Sequence, residues 1–229
     1  MINKYPLDIV YEDNHLLVVN KPSGILVQGD RTGDASLVDE CKNYIKHKYN
    51  KPGDAYLGLV HRLDRPVSGI VILTKTSKAL DRMNEQFRKR MVEKYYWAMT
   101  DSAPGDLEGT LTHWLVKDQK KNIVTAFKKM KKDAVKAELD YKVIGRIGSN
   151  YLIEIKLITG RFHQIRVQLK SIGCSIIGDI KYGYAKPNQD GSICLHARKV
   201  EFIHPVKKEP IILEAALPDS NQWRDFASF

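Results

Sequence analysis

The sequence predicts an α+β fold in a single domain, residues 1–229. Short apolar or alternating stretches read as strands, and amphipathic stretches read as helices. The two mix without a regular βαβα order. No internal repeat, low-complexity segment or long linker divides the 229 residues, a length that supports one substantial core or two small ones.

The elements follow in order. Ile9–Val10 and Leu16–Val19 read as two short strands with a turn signal at Glu12–Asn14, and Pro22-Ser23-Gly24 breaks the second. Leu37, Cys41, Tyr44 and Lys48 fall on one helical face, with Val38 and Ile45 beside it and Ser36 as N-cap. "GIVILTKT" reads as a buried strand. Leu80, Met83 and Phe87 then recur at helical spacing, with Ser77 capping the start and Arg88–Arg90 suiting the C-terminal dipole. "VEKYYWAMT" reads as a strand and "SAPGDLEGT" as a loop. From Lys117 to Lys136 eight lysines face two aspartates, which reads as a solvated hairpin or loop, or as an arm that contacts phosphate. Residues 137–160 read as a β-hairpin: in its second arm Tyr151, Ile153, Ile155 and Leu157 alternate with Leu152, Glu154, Lys156 and Ile158. "RFHQIRVQLKSIG" reads as a helix with Ile165, Leu169 and Ile172 on one side and Gly173 as the C′ glycine. The final stretch reads as two strands with a turn near Lys207–Pro210.

Composition narrows the class. At 43% hydrophobic the chain is globular. No apolar run approaches the roughly 18 to 20 residues that span a bilayer, so no membrane partner is expected. The charged start reads as mature protein rather than a signal peptide. The three cysteines, Cys41, Cys174 and Cys194, are far apart and form no CxxC. They predict a reducing compartment, here the cytoplasm, and no disulfide framework or zinc site. No phosphate loop, GxGxxG or HExxH motif occurs. The net charge of +10 draws the chain to polyanions.

Three segments carry candidate chemistry. In "GLVHRLDRPVSGIVILTKT", Asp64 enters an apolar strand between Arg62 and Arg65. A buried lone carboxylate is neutralised unless a cation holds it charged, so a cationic partner from elsewhere in the chain is expected. An aspartate in a turn beside an arginine is the other reading. In "TGRFHQIRVQLKSIG", Arg161, His163, Gln164 and Arg166 crowd a helix start at the end of an apolar strand, an arrangement that favours anions. In "EKYYWA", adjacent tyrosines point to opposite faces, so one can be core and the other can line a cleft, where a tyrosine can stack on a base and handle protons.

Together these segments resemble the RluA family of RNA pseudouridine synthases, in order and over nearly the whole chain. "YEDNHLLVVNKPSGILV" resembles its N-terminal strand pair, "HRLDRPVSGIVILTKT" its catalytic motif, "EKYYWA" its tyrosine motif, "TGRFHQIRVQLKSIGCSIIGDIKYG" its arginine motif and "LHARKVEFIHP" its closing segment. HRLD with a following SG, and GRxHQIR about a hundred residues later, make the match specific. The resemblance implies a bent, mostly antiparallel mixed sheet with helices and loops around a central basic catalytic cleft. It also implies a reaction, the isomerisation of uridine in RNA to pseudouridine without cofactor or metal. The larger relatives' S4-type RNA-binding domain has no room before this core, so none is expected.

The resemblance also implies roles. Asp64 matches the catalytic aspartate, a nucleophile at ribose C1′ or at base C6, or an aid to elimination at the sugar. Arg166 matches the arginine that pairs with it. Tyr96 rather than Tyr95 matches the tyrosine that stacks on the flipped uracil and helps remove the C5 proton. Ile165 packs the other side of the base, and Arg62 fills the gap left in the RNA stack. His61, Arg161, His163 and Gln164 join them as substrate-binding candidates. Two positions depart from the family pattern. Pro66-Val67 stands where many members have an acid and a threonine, and Gln168 stands where a histidine is common, which bears on substrate choice. The expected partner is RNA, tRNA or large-subunit rRNA or both, met by a monomer. A catalytically silent RNA-binding or chaperone protein on the same fold is the alternative. A carboxylate glycosidase would want a second acid beside Asp64, and none is evident.

Overall fold

The computed structural model describes residues 7–30, 33–227 and 229. The reading of the first residues as mature protein falls on 1–6, outside the described residues. The chain runs β1 (Asp8–Glu12), β2 (Leu16–Lys21), α1 (Leu37–Lys48), β3 (Gly58–Leu59), β4 (Ser68–Thr74), α2 (Ser77–Arg88), β5 (Glu93–Thr100) and β6 (Glu108–Asp118). It continues through β7 (Ile123–Phe127), β8 (Val135–Ile147), β9 (Asn150–Leu157), α3 (Gln164–Ser171), a 3-10 turn (Ile180–Tyr182), β10 (Leu195–Ile203), β11 (Pro210–Glu214) and α4 (Asn221–Arg224). The α+β class is as expected, with strands dominant and helices few. Among the described residues no helix is long and apolar enough to cross a membrane.

The chain forms two compact units, and β10 passes from the second to the first. The first holds Met1–Val92 and Arg198–Ala216. Its strand order is β1-β2-β4-β10, with β3 on β4 and β11 on β10. Leu16 to Val19 and Val71 to Leu73 are wholly buried in antiparallel register, Leu17 opposite Leu73 and Val19 opposite Val71. Both faces of this pair are covered, which is why the two segments read as continuous apolar runs rather than alternating ones. Leu16, Val18, Ile70 and Ile72 pack on Met83 of α2 and on Val200, Phe202 and Ile211.

The caps show where local chemistry decided boundaries. Ser36 closes a reciprocal capping box with Asp39, as its position before an apolar helical face predicts. The cap of α2 is Thr76, not Ser77: Thr76 is extended and its hydroxyl accepts the Ala79 N–H, while Ser77 is the first helical residue.

One carboxylate ties the first unit's surface together. Glu12 accepts from Lys48 Nζ at 2.7 Å, Lys75 Nζ at 2.9 Å, and the Tyr44 and Tyr49 hydroxyls, each at 2.8 Å. Burial alone would raise its pKa, but these four donors outweigh it and hold the group at about 2. A depressed carboxylate adds stability that is present above its unfolded value of 4.5 and is lost as pH falls towards 2. Glu12→Gln is therefore expected to cost about 1 kcal/mol at neutral pH, discounted because Lys48 is solvated. Its denaturation midpoint should also fall less steeply than wild type between pH 4.5 and 2, as followed by circular dichroism. Asp13, likewise held near 2, leaves some slope in the variant.

The second unit holds Glu93–Ala197 and Leu217–Phe229. Its strand order is β10-β5-β9-β8-β6-β7, and the registers from β5 to β9, β9 to β8, β8 to β6 and β6 to β7 are all antiparallel. The expected hairpin is β8 and β9, with a register shift between Val143 and Gly145. The expected loop at 102–110 is shorter, because β6 begins at Glu108 and pairs with Lys142. The lysine-rich segment is a hairpin in which β7 supplies a strand: Trp114 lies opposite Phe127 and Asp118 opposite Ile123. The helix expected from Arg161 starts later, at Gln164. Leu115, Val124 and Ala137 pack with Val167 of α3 and with Tyr182.

Candidate active site

In the first unit, Asp64 lies in the connection from β3 to β4. It is half-buried, and its carbonyl accepts the Val67 N–H at 3.1 Å to form a turn. The flanking arginines do not bury themselves beside it. Arg62 is exposed. Arg65 reaches the opposite loop, donating from Nε to Gly24 O at 2.8 Å and pairing with Asp34 at 3.0 Å.

The buried cation here is Lys21, the last residue of β2, whose accessibility is 0%. Its ammonium donates to the carbonyls of Pro22 at 2.9 Å, Ile25 at 3.0 Å and Arg65 at 3.3 Å. Gly24 N–H also donates to Arg65 O, at 2.8 Å. The loop after β2 and the loop that carries Asp64 are thus laced together by the Lys21 ammonium, by the Gly24–Arg65 backbone bond and by the Arg65 guanidinium. Burial pushes the Lys21 pKa down to about 7, and the Asp64 charge pulls it back up. The resemblance assigned Arg166 as the distant cation for Asp64, and Lys21 was not singled out. The signal was a lone lysine closing an apolar strand just before a proline.

His61 is committed to packing. Its Nε2 accepts the Ile72 N–H at 3.0 Å, and its ring stacks on Phe87 at 5.1 Å.

In the second unit, Tyr96 is buried on β5 opposite Ile155, while its neighbour Tyr95 is half-exposed and donates to Glu93. The β9–α3 connection and the first turn of α3 gather Arg161, His163, Gln164, Ile165 and Arg166. Gln164 holds the turn itself: its Oε1 accepts from the Thr159 hydroxyl at 2.8 Å and Arg161 N–H at 3.0 Å, and its Nε2 donates to Glu138 O at 2.9 Å. His163 takes the left-handed conformation, φ 52°, as the residue before the helix, and its side chain does not cap α3. Its Nδ1 instead meets the Tyr182 hydroxyl at 2.7 Å, and its ring stacks on Phe162 at 3.8 Å. Ile165 is buried, and Arg161 is exposed, donating to Lys136 O at 3.2 Å.

Arg166 is 5% exposed in the first turn of α3. Its Nε and Nη2 donate to the two carboxylate oxygens of Asp179 at 2.7 and 2.8 Å. The ring of Tyr182 lies 5.0 Å from its guanidinium carbon. Asp179 and Tyr182 were not singled out from the sequence. Gln168, the departure from the family pattern, is buried and donates to Leu111 O at 3.0 Å, tying α3 to β6.

Exposed lysines line the second unit's surface. Lys117 Nζ sits 4.0 Å over the Phe162 ring, Lys131 Nζ 4.0 Å over Phe127, and Lys181 Nζ reaches Asn122 O at 3.5 Å. The first unit thus offers a half-buried carboxylate beside a buried ammonium. The second offers a buried arginine, a buried tyrosine and a basic aromatic rim.

Comparison with known proteins points one way. A family model described as RNA pseudouridylate synthase matches residues 15–171. The chain is 34% identical over 230 residues to ribosomal large subunit pseudouridine synthase D of Zymomonas mobilis, covering 95% of this chain and 71% of that protein. It is 34% identical over 219 residues to ribosomal large subunit pseudouridine synthase C of Buchnera aphidicola, covering 91% and 66%. It is 32% identical over 220 residues to an uncharacterized RNA pseudouridine synthase of Synechocystis, covering 93% and 66%. The chain thus spans about two thirds of the length of these curated relatives. Among solved structures, human RNA pseudouridylate synthase domain containing 4 superposes with a TM-score of 0.77 at 26% identity, covering 93% of this chain and 89% of that one.

Proposed function

We propose that this chain, which belongs to the RluA-type RNA pseudouridylate synthase family, isomerises uridine in RNA to pseudouridine with Asp64, Tyr96 and Arg166 as its catalytic set. The observation that carries this reading is Asp64 itself. It stands within the family's HRLD motif, half-buried, with an ammonium locked against its loop. A carboxylate held at such a loop can act as a nucleophile. In the reaction the N1–C1′ bond breaks, the uracil turns and C5 joins C1′; the C5 proton passes to solvent, and N1 takes one up in its place. Tyr96 stacks on the base and assists that proton, and Ile165 packs the other face. A base inside a stem must leave its stack to be reached, and Arg62, exposed beside Asp64, fills the gap.

The names of the two ribosomal relatives favour large-subunit rRNA as substrate, and a compact core suits a short stem-loop within it. A tRNA arm has a similar shape and is the other target to test. The three buried thiols suit a reducing compartment, and we assign the reaction to the cytoplasm, carried out by a monomer. Tritium release from 5-³H-uridine-labelled rRNA and tRNA transcripts tests the reading. Release is expected from at least one, and binding without release from either would leave the chain an RNA-binding protein.

The basic rim of the second unit supports a phosphate-contacting role for residues 117–136. Replacing Lys128, Lys129, Lys131 and Lys132 by glutamine is expected to weaken RNA binding and to flatten its dependence on salt by about 0.7 to 0.9 in slope for each phosphate that is no longer neutralised. Filter binding across a salt series measures this, and an unchanged slope returns the segment to a solvated hairpin.

A further inference from the structure

We propose that Asp179 is a positioning residue for the reaction, its carboxylate fixing the Arg166 guanidinium in the orientation that serves the reacting aspartate. This rests on reading Arg166 as the partner of Asp64.

Arg166 stands where a helix least favours a cation. The first turn of α3 carries the positive end of the helix dipole, and it holds no acidic residue. The compensating charge comes from outside the helix. Asp179 is 1% exposed and grips Nε and Nη2 in a two-oxygen fork. A fork fixes the plane of the guanidinium as well as its place, and the other N–H groups of the same guanidinium can serve a second acceptor at once. Tyr182 closes one face at 5.0 Å, and its own hydroxyl is held by His163 Nδ1 at 2.7 Å and Val124 N–H at 3.0 Å.

The aspartate's own surroundings point the same way. Asp179 occupies the cap position of the 3-10 turn, yet its side chain makes no cap bond. Its main chain is fixed instead: Asp179 N–H donates to Ile176 O at 3.0 Å, and its carbonyl accepts from Tyr182 and Tyr184, each at 3.1 Å. Gly178 before it has φ +85°, and a Cβ there would lie 2.7 Å from Ser192 O. Backbone geometry thus delivers the carboxylate to Arg166 rather than to its local cap. A buried ion pair is a poor way to gain stability alone, since apolar groups of similar volume often do as well. Orientation is what the fork adds.

The test compares Arg166→Lys, Asp179→Asn, Asp179→Glu and the double variant Arg166→Lys/Asp179→Asn. Single-turnover rate at saturating RNA, RNA affinity and thermal midpoint are read for each. Asp179→Asn is expected to slow the reaction on the order of 100-fold, as a misplacement of roughly 1 Å does, with RNA affinity unchanged. Asp179→Glu should recover part of the rate. The double variant should be no slower than Arg166→Lys, because a lysine cannot be forked and Asp179 then has nothing to orient. A folded Asp179→Asn at wild-type rate overturns the proposal, as does a loss that multiplies in full with that of Arg166→Lys. Should Asp179→Asn fail to fold, the double variant decides: a folded double variant at the rate of Arg166→Lys supports the proposal, and a further loss beyond that rate overturns it. A wild-type rate in Arg166→Lys overturns the catalytic reading of Arg166, and this proposal with it.

Discussion

Asp64→Asn is expected to stop tritium release from labelled RNA, with a loss of at least about 1,000-fold, while RNA binding persists. The two side chains have the same shape, so the turn closed by Val67 N–H on Asp64 O survives. What changes is the charge. An amide offers no nucleophilic carboxylate, and Lys21 loses the negative group that lifts its pKa from the low value that burial imposes. The fold should therefore weaken only modestly, since the Lys21 side chain keeps its place among the loop carbonyls. Rate and affinity read together decide the matter. Release near the wild-type rate would remove Asp64 from the chemistry. Loss of binding in step with loss of release would make it a structural residue of the loop.

What the sequence made legible was mostly local. The N-cap at Ser36 needs only residues three apart, and β9 needs only period-two alternation. Both stand as read, and the structure adds the reciprocal bond to Asp39. The buried pair β2–β4 was legible as apolar runs. The start of α3 was not. Four polar residues before an apolar helical face look like a first turn, yet Gln164 folds back on the turn and His163 turns left-handed towards Tyr182. Each choice depends on residues 5 to 26 positions away, such as Thr159, Tyr182 and Glu138. The partners of the candidate site failed to show for the same reason. Charge balance predicted a cation for Asp64 and the resemblance named Arg166, but neither pointed to Lys21 or to Asp179. Lys21 is 44 residues from the Arg65 carbonyl it holds, and Asp179 is 13 from Arg166. Spacing rules reach one helical turn, whereas the physics that makes a buried charge tolerable works through space.

Lys21 makes that physics measurable. Its ammonium titrates at 10.5 in an ordinary setting and at about 7 in the fold, chiefly through burial. Below about 7 both states hold the proton, and the fold bears the full cost of a buried charge. Between the two values the unfolded chain holds a proton that the fold has shed, so raising pH favours the fold. Other groups crowd this window from above and below. The thiols of Cys41, Cys174 and Cys194, raised by burial to about 12, 11 and 11 from 9.0, oppose the effect once unfolded thiols ionise. His113, lowered by burial and by Lys128, acts at the acid side of its ordinary 6.5. From pH 7 to about 8.5 Lys21 dominates, and wild-type unfolding free energy is expected to rise by about 1.5 kcal/mol. Lys21→Met removes that slope. It also leaves three loop carbonyls without their donor, a loss of about 3 kcal/mol at pH 8.5 that shrinks towards pH 7, where the wild type carries its own burial cost. Urea titrations of both proteins at the two pH values measure the difference. Parallel slopes would mean that Lys21 stays charged in the fold throughout. The ammonium beside Asp64 would then be a fixed part of the site, and the cost of burying it would be met by its carbonyl partners and the aspartate together.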